Sequence, residues 1–524
     1  MKKTAIWAVA MAISAVATAQ QNPTAVKYSK LVSAEYTKEQ LTIVASDEME
    51  GRETGQPGAE KAAKYLADQY KKLGLLPANK GSYFLDVPLT QSMFKVNNFA
   101  INGTKLTFGK DFYGSGSAAA ATVSADDIIF IGYGSEAELT ADIKGKIVLL
   151  LNEAPPAKDG ATAAPAAGGR RMMGNPNTRA VMAKGPALIL AASPAVAQMA
   201  PRFASQKPRI ALKKEGAPAA PTAATIAFSI TTDVADQILK STGKTYAQIK
   251  TAIDGGTPQS QTIKASVSAA YGSETKDIMA QDIVAVIPGN DKKLKEEVVV
   301  FSAHYDHEGL NTAPGAKDKV FNGADDDGSG TVGILAIARA FAQAQKDGKG
   351  PRRTVLFLGN VGEEKGLLGS EYYGEHPIYP MANTVADLNI DMIGRVGDDY
   401  KNNADSANYV FPIGSAMLST ELKAISDKAN DTYTKLKLDY RYDDLNDPNR
   451  FYYRSDHYNF AKHGVPIIFW FNGTHPDYHG LGDEVSKINF PLLAKRAQHA
   501  FFVGWELANR DKRPVVDAKD APKN

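Results

Sequence analysis

The apolar run Val298-Val299-Val300-Phe301 has no polar interruption, and after Ser302 and Ala303 it meets His304-Tyr305-Asp306-His307. A strand written this way is buried on both faces, the pattern of a parallel sheet covered by helices. Further on, three consecutive aspartates, Asp325 to Asp327, precede Gly328-Ser329-Gly330 and an apolar set at helical spacing, Val332, Leu335, Ala338 and Phe341. In open α/β sheets, ligands bind where strands end and helices begin. Histidine and carboxylate gathered at that junction are metal-ligand chemistry.

The same grammar fills the C-terminal half. Strand-like segments at Asp282–Ile287, Val298–Phe301, Thr354–Leu358, Val385–Ile390, Tyr409–Ile413 and Pro466–Phe471 alternate with helical ones such as Val332–Gln345 and Leu418–Thr432. That order predicts an α/β fold with a mostly parallel central sheet and helices on both faces. A last helix is expected from Leu493 to Asn509, followed by a polar tail, 511–524. Residues 20–80 read as helical scaffold, with a capped start at Thr37, a glycine-rich loop at Gly51–Gly58 and a helix end at Leu73-Gly74-Leu75. From about Ala118 the texture changes to short buried-type strands, glycine turns and a low-complexity loop, Ala154–Gly169, ending in Arg170-Arg171-Met172-Met173. This predicts a small β-rich module at 120–262, inserted into a discontinuous domain of 20–119 and 263–510. The module holds no histidine and no dense acidic cluster, so a binding or lid role, limiting substrate size, suits it better than catalysis. A chain of 524 residues is in any case too long for one core.

Met1-Lys2-Lys3, an apolar run from Thr4 to Val16 and Ala17-Thr18-Ala19 have the layout of a cleaved signal peptide, 1–19. The run is shorter than the ~20 apolar residues of a membrane span, so the mature protein is expected to be exported and soluble, periplasmic or extracellular. With no cysteine, disulfides, thiolate zinc sites, a cysteine nucleophile and lipid attachment near the cleavage site are excluded. A formal net charge of +2 gives no global field toward nucleic acid or an anionic membrane.

All eight histidines lie between His304 and His499. The candidate groups each stand just past an apolar run: His304 and Asp306 after Val298–Phe301, Glu363-Glu364 after Thr354–Leu358, Asp391 after Ala386–Ile390, and His475 and His479 after Pro466–Phe471. Singly each is ordinary, since a Glu-Glu pair is usually a solvated face and a histidine usually a structural hydrogen-bonder. Neighbouring parallel strands would bring all of these ends to one rim, where the carboxylates would repel unless cations neutralised them. Consecutive aspartates do not fit an EF-hand, and there is no G-x-S-x-G elbow for serine chemistry.

With these motifs in view the chain resembles the secreted co-catalytic dizinc aminopeptidases with an inserted protease-associated domain. ASDEMEGRETGQPG is similar to the family's opening signature, and FIGYG and IKGKIVLLLNE to the insertion. SAHYDHEG, NGADDDGSG, VGEEKGLLGSEYY, LNIDMIGR and RSDHYNFAKHGVPIIFWFNGTHPDYHGLGDE follow in the family's order. The resemblance implies a zinc exopeptidase fold and two Zn²⁺ per chain. It implies that His304 and Asp391 bind one ion and Glu364 and His479 the other, that Asp326 bridges them, that Glu363 is the general base, and that Asp306 orients His304. Where the family has a Thr-Pro-Glu-Asp-like turn after His479, this chain has Gly-Leu-Gly-Asp483.

The chemistry stands beside the resemblance. Amide hydrolysis needs an acidified water, a clamp on the developing oxyanion and a carboxylate to carry the proton, and a pair of N/O-ligated zinc ions with a free glutamate supplies all three. The expected function is removal of N-terminal residues from peptides. A carboxypeptidase, with Arg450 or Arg454 on the substrate carboxylate, and a glutaminyl cyclase are alternatives on the same fold. Asp443, Asp444 and Asp447 could equally draw an amine. A non-catalytic binding ectodomain would show broken ligand positions, and none is broken here.

Overall fold

Six strands build the sheet that carries the candidate groups. In chain order they are β1 (Gln261–Ile287), β2 (Val298–His304), β3 (Thr354–Asn360), β4 (Thr384–Ile390), β5 (Tyr409–Ile413) and β6 (Ile467–Phe471). The computed structural model describes residues 21–139, 141–154, 175–204, 206–213, 225–313 and 315–517. The 1–19 leader, most of the 154–169 loop, Arg170 to Met173 and the end of the 511–524 tail lie outside them.

The spatial order is β5-β6-β4-β2-β3-β1. β3, β2, β4 and β6 are mutually parallel, whereas β1 runs antiparallel to β3 and β5 antiparallel to β6. Every residue of β2, β3 and β4 is buried, as uninterrupted apolar strands in a parallel sheet must be, because both faces need covers. One face is covered by α-helices Gly330–Lys346 and Phe490–Asn509, where Phe301 stacks on Phe357 at 5.5 Å and Phe341 meets Phe501 at 5.3 Å. The other face buries Val298, Val300, Leu356 and Leu358 with Tyr373 and Phe460, which come from helices Leu368–Glu375 and His457–Lys462. Alternate side chains of one strand thus anchor opposite helix layers, each large apolar group contributing about 1.5–3 kcal/mol.

At the N-terminus, Ala34–Val44 forms a helix capped by Ser33, whose hydroxyl accepts Tyr36 N–H at 3.3 Å. The cap expected at Thr37 is displaced because Thr37 turns its hydroxyl onto the Ser33 and Ala34 carbonyls, both at 3.1 Å. The next helix, Pro57–Leu73, closes on the left-handed Gly74.

The chain divides into two compact units, one of 1–87, 279–311 and 316–524, the other of 88–278 with 312–315. The second is wider than the 120–262 read from composition, because the strand Phe84–Ile101 and the N-terminal part of β1 contribute to it. Its strands Ala121–Phe130, Ile147–Leu151, Leu188–Ala192 and Ala227–Ile230 are parallel in sequence order. Residues 261–271 pair antiparallel with the first of these. Phe99, Phe112 and Phe228 form its aromatic centre, with ring centroids 4.7–5.4 Å apart. Among the described residues no helix is long and apolar enough to cross a membrane.

Candidate metal centre

Why the sequence writes NGADDDGSG becomes plain at the turn between β2 and the helix Gly330–Lys346. Gly323 has φ 54, and a Cβ there would sit 2.4 Å from the Asp326 carbonyl oxygen and 2.5 Å from the His307 ring. A Cβ at Gly330 would meet the Ile390 carbonyl oxygen at 2.1 Å. Both positions must therefore be glycine for the aspartates to reach the strand ends. The outer two aspartates are structural. Asp327 accepts the N–H groups of Gly330 and Met392 at 2.8 and 3.0 Å, pinning the helix start to the end of β4. Asp325 accepts Gly394 N–H at 2.6 Å and faces His475 Nε2 at 3.1 Å. The middle one, Asp326, faces inward, and its peptide bond to Asp327 is cis.

Asp326 stands between two histidines. Its Oδ1 lies 3.4 Å from His304 Nε2, and its Oδ2 lies 3.1 Å from His479 Nε2. On the first side Asp391 Oδ2 is 3.7 Å and Glu363 Oε2 3.9 Å from His304 Nε2. On the second side Glu364 Oε2 is 3.1 Å from His479 Nε2. All five residues named from sequence as ligands, with Glu363, are thereby brought together. His475 is engaged with Asp325 instead.

The group that sequence reasoning passed over is His307. Its Nδ1 lies 2.8 Å from Glu364 Oε1 and 3.9 Å from Asp326 Oδ2. The available signal was its place three residues past His304 at the same strand end. Ligand-capable atoms fall into clusters within 4.8 Å of one another: His304, Glu363 and Asp391; His307, Asp326 and Glu364; and Glu308, Glu364 and His479. His304 Nε2, both ring nitrogens of His307, Asp326 Oδ2 and Glu364 Oε1 are buried with no hydrogen-bond partner of proper geometry. Nitrogen and carboxylate atoms so close, yet not aligned on one another, converge on points between them. That arrangement suits divalent cations, and the donor set of imidazole and carboxylate suits zinc.

The segment read as scaffold turns out to brace this centre. Arg52, fully buried at φ 52, donates to four carbonyl oxygens: Tyr305 at 2.7 Å, Val44 at 2.9 Å, Asn322 at 2.7 Å and Gly323 at 2.9 Å. Its own carbonyl accepts His307 N–H at 3.1 Å. One guanidinium thus ties the loop after β2 to the aspartate turn, with its charge facing Asp483, Asp306, Asp326 and Asp327. Asp306 acts differently from the expected imidazole–carboxylate pairing. It is its backbone carbonyl that meets His304 Nδ1, at 3.1 Å, while the nearer carboxylate oxygen is 3.7 Å away. The carboxylate instead accepts Thr54 Oγ1–H at 2.6 Å and Glu363 N–H at 3.2 Å. The Gly-Leu-Gly-Asp483 departure also has a use: buried Asp483 accepts the N–H groups of Asp325 and Asp326, each at 3.0 Å.

As protein groups alone, these side chains divide sharply. For Glu364 burial works upward, but the His307 and His479 imidazoles outweigh it and hold the carboxyl at about 2. For Glu363 burial dominates and lifts the carboxyl well above its usual range. Burial opposes the charge of His479, yet Asp326 and Glu364 raise it to about 10.

A pocket opens beside the cluster. It is lined by the acids Asp326, Glu363 and Asp391 together with Met392, Phe451, Phe469, Phe471, Thr474, Tyr478 and Arg454. The acids of the preceding loop are occupied in turns: Asp443 accepts Gly414 N–H and Ser415 Oγ–H at 2.7 Å, and Asp447 accepts Phe451 N–H at 3.1 Å.

Residues 282–502 match the model of Peptidase family M28. The matched segment runs from the end of β1 to the last helix and contains every member of the centre but the bracing Arg52 and Thr54. Probable leucine aminopeptidases of two fungi are similar to it. That of Arthroderma benhamiae is 29% identical over 256 residues, 48% of this chain and 64% of the relative. That of Arthroderma otae is 32% identical over 234 residues, 43% and 57% respectively. The chain therefore spans less than two thirds of these relatives' own length. In fold, an aminopeptidase from Aneurinibacillus sp. strain AM-1 superposes with a TM-score of 0.53 at 17% identity, covering 95% of this chain and all of that one. BSAP, a zinc aminopeptidase from Bacillus subtilis, gives 0.51 at 17% identity, covering 93% and 98%. The M28 match agrees with the family resemblance read from the motifs, and these folds with the α/β architecture.

Proposed function

We propose that this chain is an exported, zinc-dependent exopeptidase that releases residues from the free N-terminus of peptides, with two zinc ions per chain. One observation carries the reading: a single buried carboxylate, Asp326, presents one oxygen to His304 and the other to His479. His304 and Asp391 would hold one ion and Glu364 and His479 the other, with Asp326 shared and His307 beside Glu364. Two zinc ions there would supply an acidified water and an electrophile for the scissile carbonyl.

The rest is the work of this chain's own groups. Glu363 lines the pocket, and the recorded ion-pair approach of its carboxylate among the described residues is the 3.9 Å one to His304, which leaves it able to take a proton from water and return it to the leaving amine. Through its N–H bond to Asp306, the Glu363 backbone is tied to the loop that carries His304. The three acids lining the pocket attract a substrate ammonium, and Phe451, Phe469 and Phe471 take the apolar part of the residue removed. Names of relatives that specify leucine aminopeptidase support the same class. The leader-like first 19 residues support export, and the unit 88–278 is read as a protease-associated domain that limits substrate size. Comparing hydrolysis of a free-amine chromogenic peptide with its N-acetylated form tests the proposal. Equal turnover of the two would refute aminopeptidase action.

A further inference from the structure

The pocket's one arginine is held in place by neighbours that leave its charge uncancelled. The Arg454 guanidinium lies 5.0 Å over the Phe451 ring, and its Nη2 donates to Tyr478 Oη at 3.1 Å. It has no carboxylate partner among the described residues. Arg450, four residues earlier, stacks 4.7 Å over Tyr453 and does not line the pocket. The pocket lining therefore carries both signs of charge, three carboxylates and one stacked guanidinium, among apolar side chains.

Building on the exopeptidase reading, we propose that Arg454 makes this site select peptides that carry a carboxylate close to the scissile bond. A zwitterion with its ammonium toward Glu363 and Asp391 and its carboxylate toward Arg454 matches this charge layout. A stacked guanidinium is preorganised for carboxylate and loses little side-chain freedom on pairing. Two sources give that chemistry: the terminal carboxylate of a dipeptide, or the side chain of an N-terminal acidic residue. Arg454 lines the pocket yet is exposed, so water tempers the gain and the preference expected is about 10-fold in kcat/KM.

The test compares Leu-Ala with Leu-Ala-amide, and Glu-Ala-amide with Gln-Ala-amide, on the zinc-supplemented full chain. The variants are Arg454→Gln, Arg454→Lys and, as a control, Arg450→Gln. Calorimetric binding of the same four peptides is measured beside turnover. The first pair reads the terminal carboxylate and the second the side chain. In at least one pair the carboxylate form is expected to be favoured about 10-fold, a ratio that collapses in Arg454→Gln, partly recovers in Arg454→Lys and persists in Arg450→Gln. Ratios near one in both pairs, or a ratio that survives Arg454→Gln, would overturn the inference. Failure of the exopeptidase reading looks different: no turnover of any peptide, with the binding ratio deciding the role of Arg454 by itself.

Discussion

Glu363 and Glu364 are adjacent and chemically identical, yet the proposed function gives them opposite tasks, and a matched pair of amide substitutions separates these. Glu364 uses both oxygens, one 2.8 Å from His307 and the other 3.1 Å from His479. Glu363 has only a 3.9 Å approach to His304 and faces the pocket. Glu364→Gln replaces one acceptor oxygen by an NH₂ group that cannot ligate, so zinc affinity should fall by more than about 100-fold, beyond what an outer-sphere change costs. Glu363→Gln keeps the shape and removes only the proton acceptor. Turnover should drop by about 10² to 10⁴, or roughly 3–5.5 kcal/mol in the barrier, with KM little changed. Metal content after dialysis against a graded chelator, together with steady-state kinetics on a chromogenic peptide, reads both. A Glu363→Gln protein that lost its metal, or a Glu364→Gln protein that kept wild-type affinity, would refute the assignment.

Other outcomes follow from the surroundings. Arg52→Lys keeps the charge but cannot reach four carbonyls, so unfolding stability should fall by about 3 kcal/mol in urea, with zinc retained less tightly. Asp306→Ala leaves the backbone contact to His304 but frees Thr54 and Glu363 N–H. Metal affinity should weaken by about 10–100-fold, and unchanged affinity in a chelator titration would remove Asp306 from the centre. His499 is buried and held neutral, its value lowered by burial to about 3. The unfolded chain then binds the extra proton between pH 3 and the ordinary 6.5, so stability declines as pH falls through that window. By pH 5.5 the loss is about 1.4 kcal/mol, and His499→Asn should flatten urea midpoints measured between pH 7 and 5.5 by that amount.

The buried strands and the strand-end position of the acids were legible because parallel sheets impose uninterrupted apolar runs, as in Val298–Phe301 and Thr354–Leu358, whereas the spatial strand order was not. The inward choice of Asp326 among three aspartates came through family resemblance alone. Its physical reason, capping of backbone N–H groups by Asp325 and Asp327, exists only in three dimensions. Arg52 was not legible, since an arginine in a glycine-rich loop has no periodicity and its partners are carbonyls, which carry no residue identity. The same holds for Asp306: sequence can suggest that it neighbours His304, but not that its carbonyl rather than its carboxylate makes the bond. His307 sat in plain view, yet nothing in its spacing distinguishes a histidine that completes a cluster from one that packs beside it.

The guanidinium clamp sets an order of events. Arg52 is made early, while the carbonyls it gathers belong to residues 44, 305, 322 and 323, and His479 comes later still. The brace can therefore close once residue 323 has been made, whereas the set of imidazoles is complete only at His479. The shared carboxylate Asp326 thus lacks its second imidazole until 479 of the 524 residues have been joined.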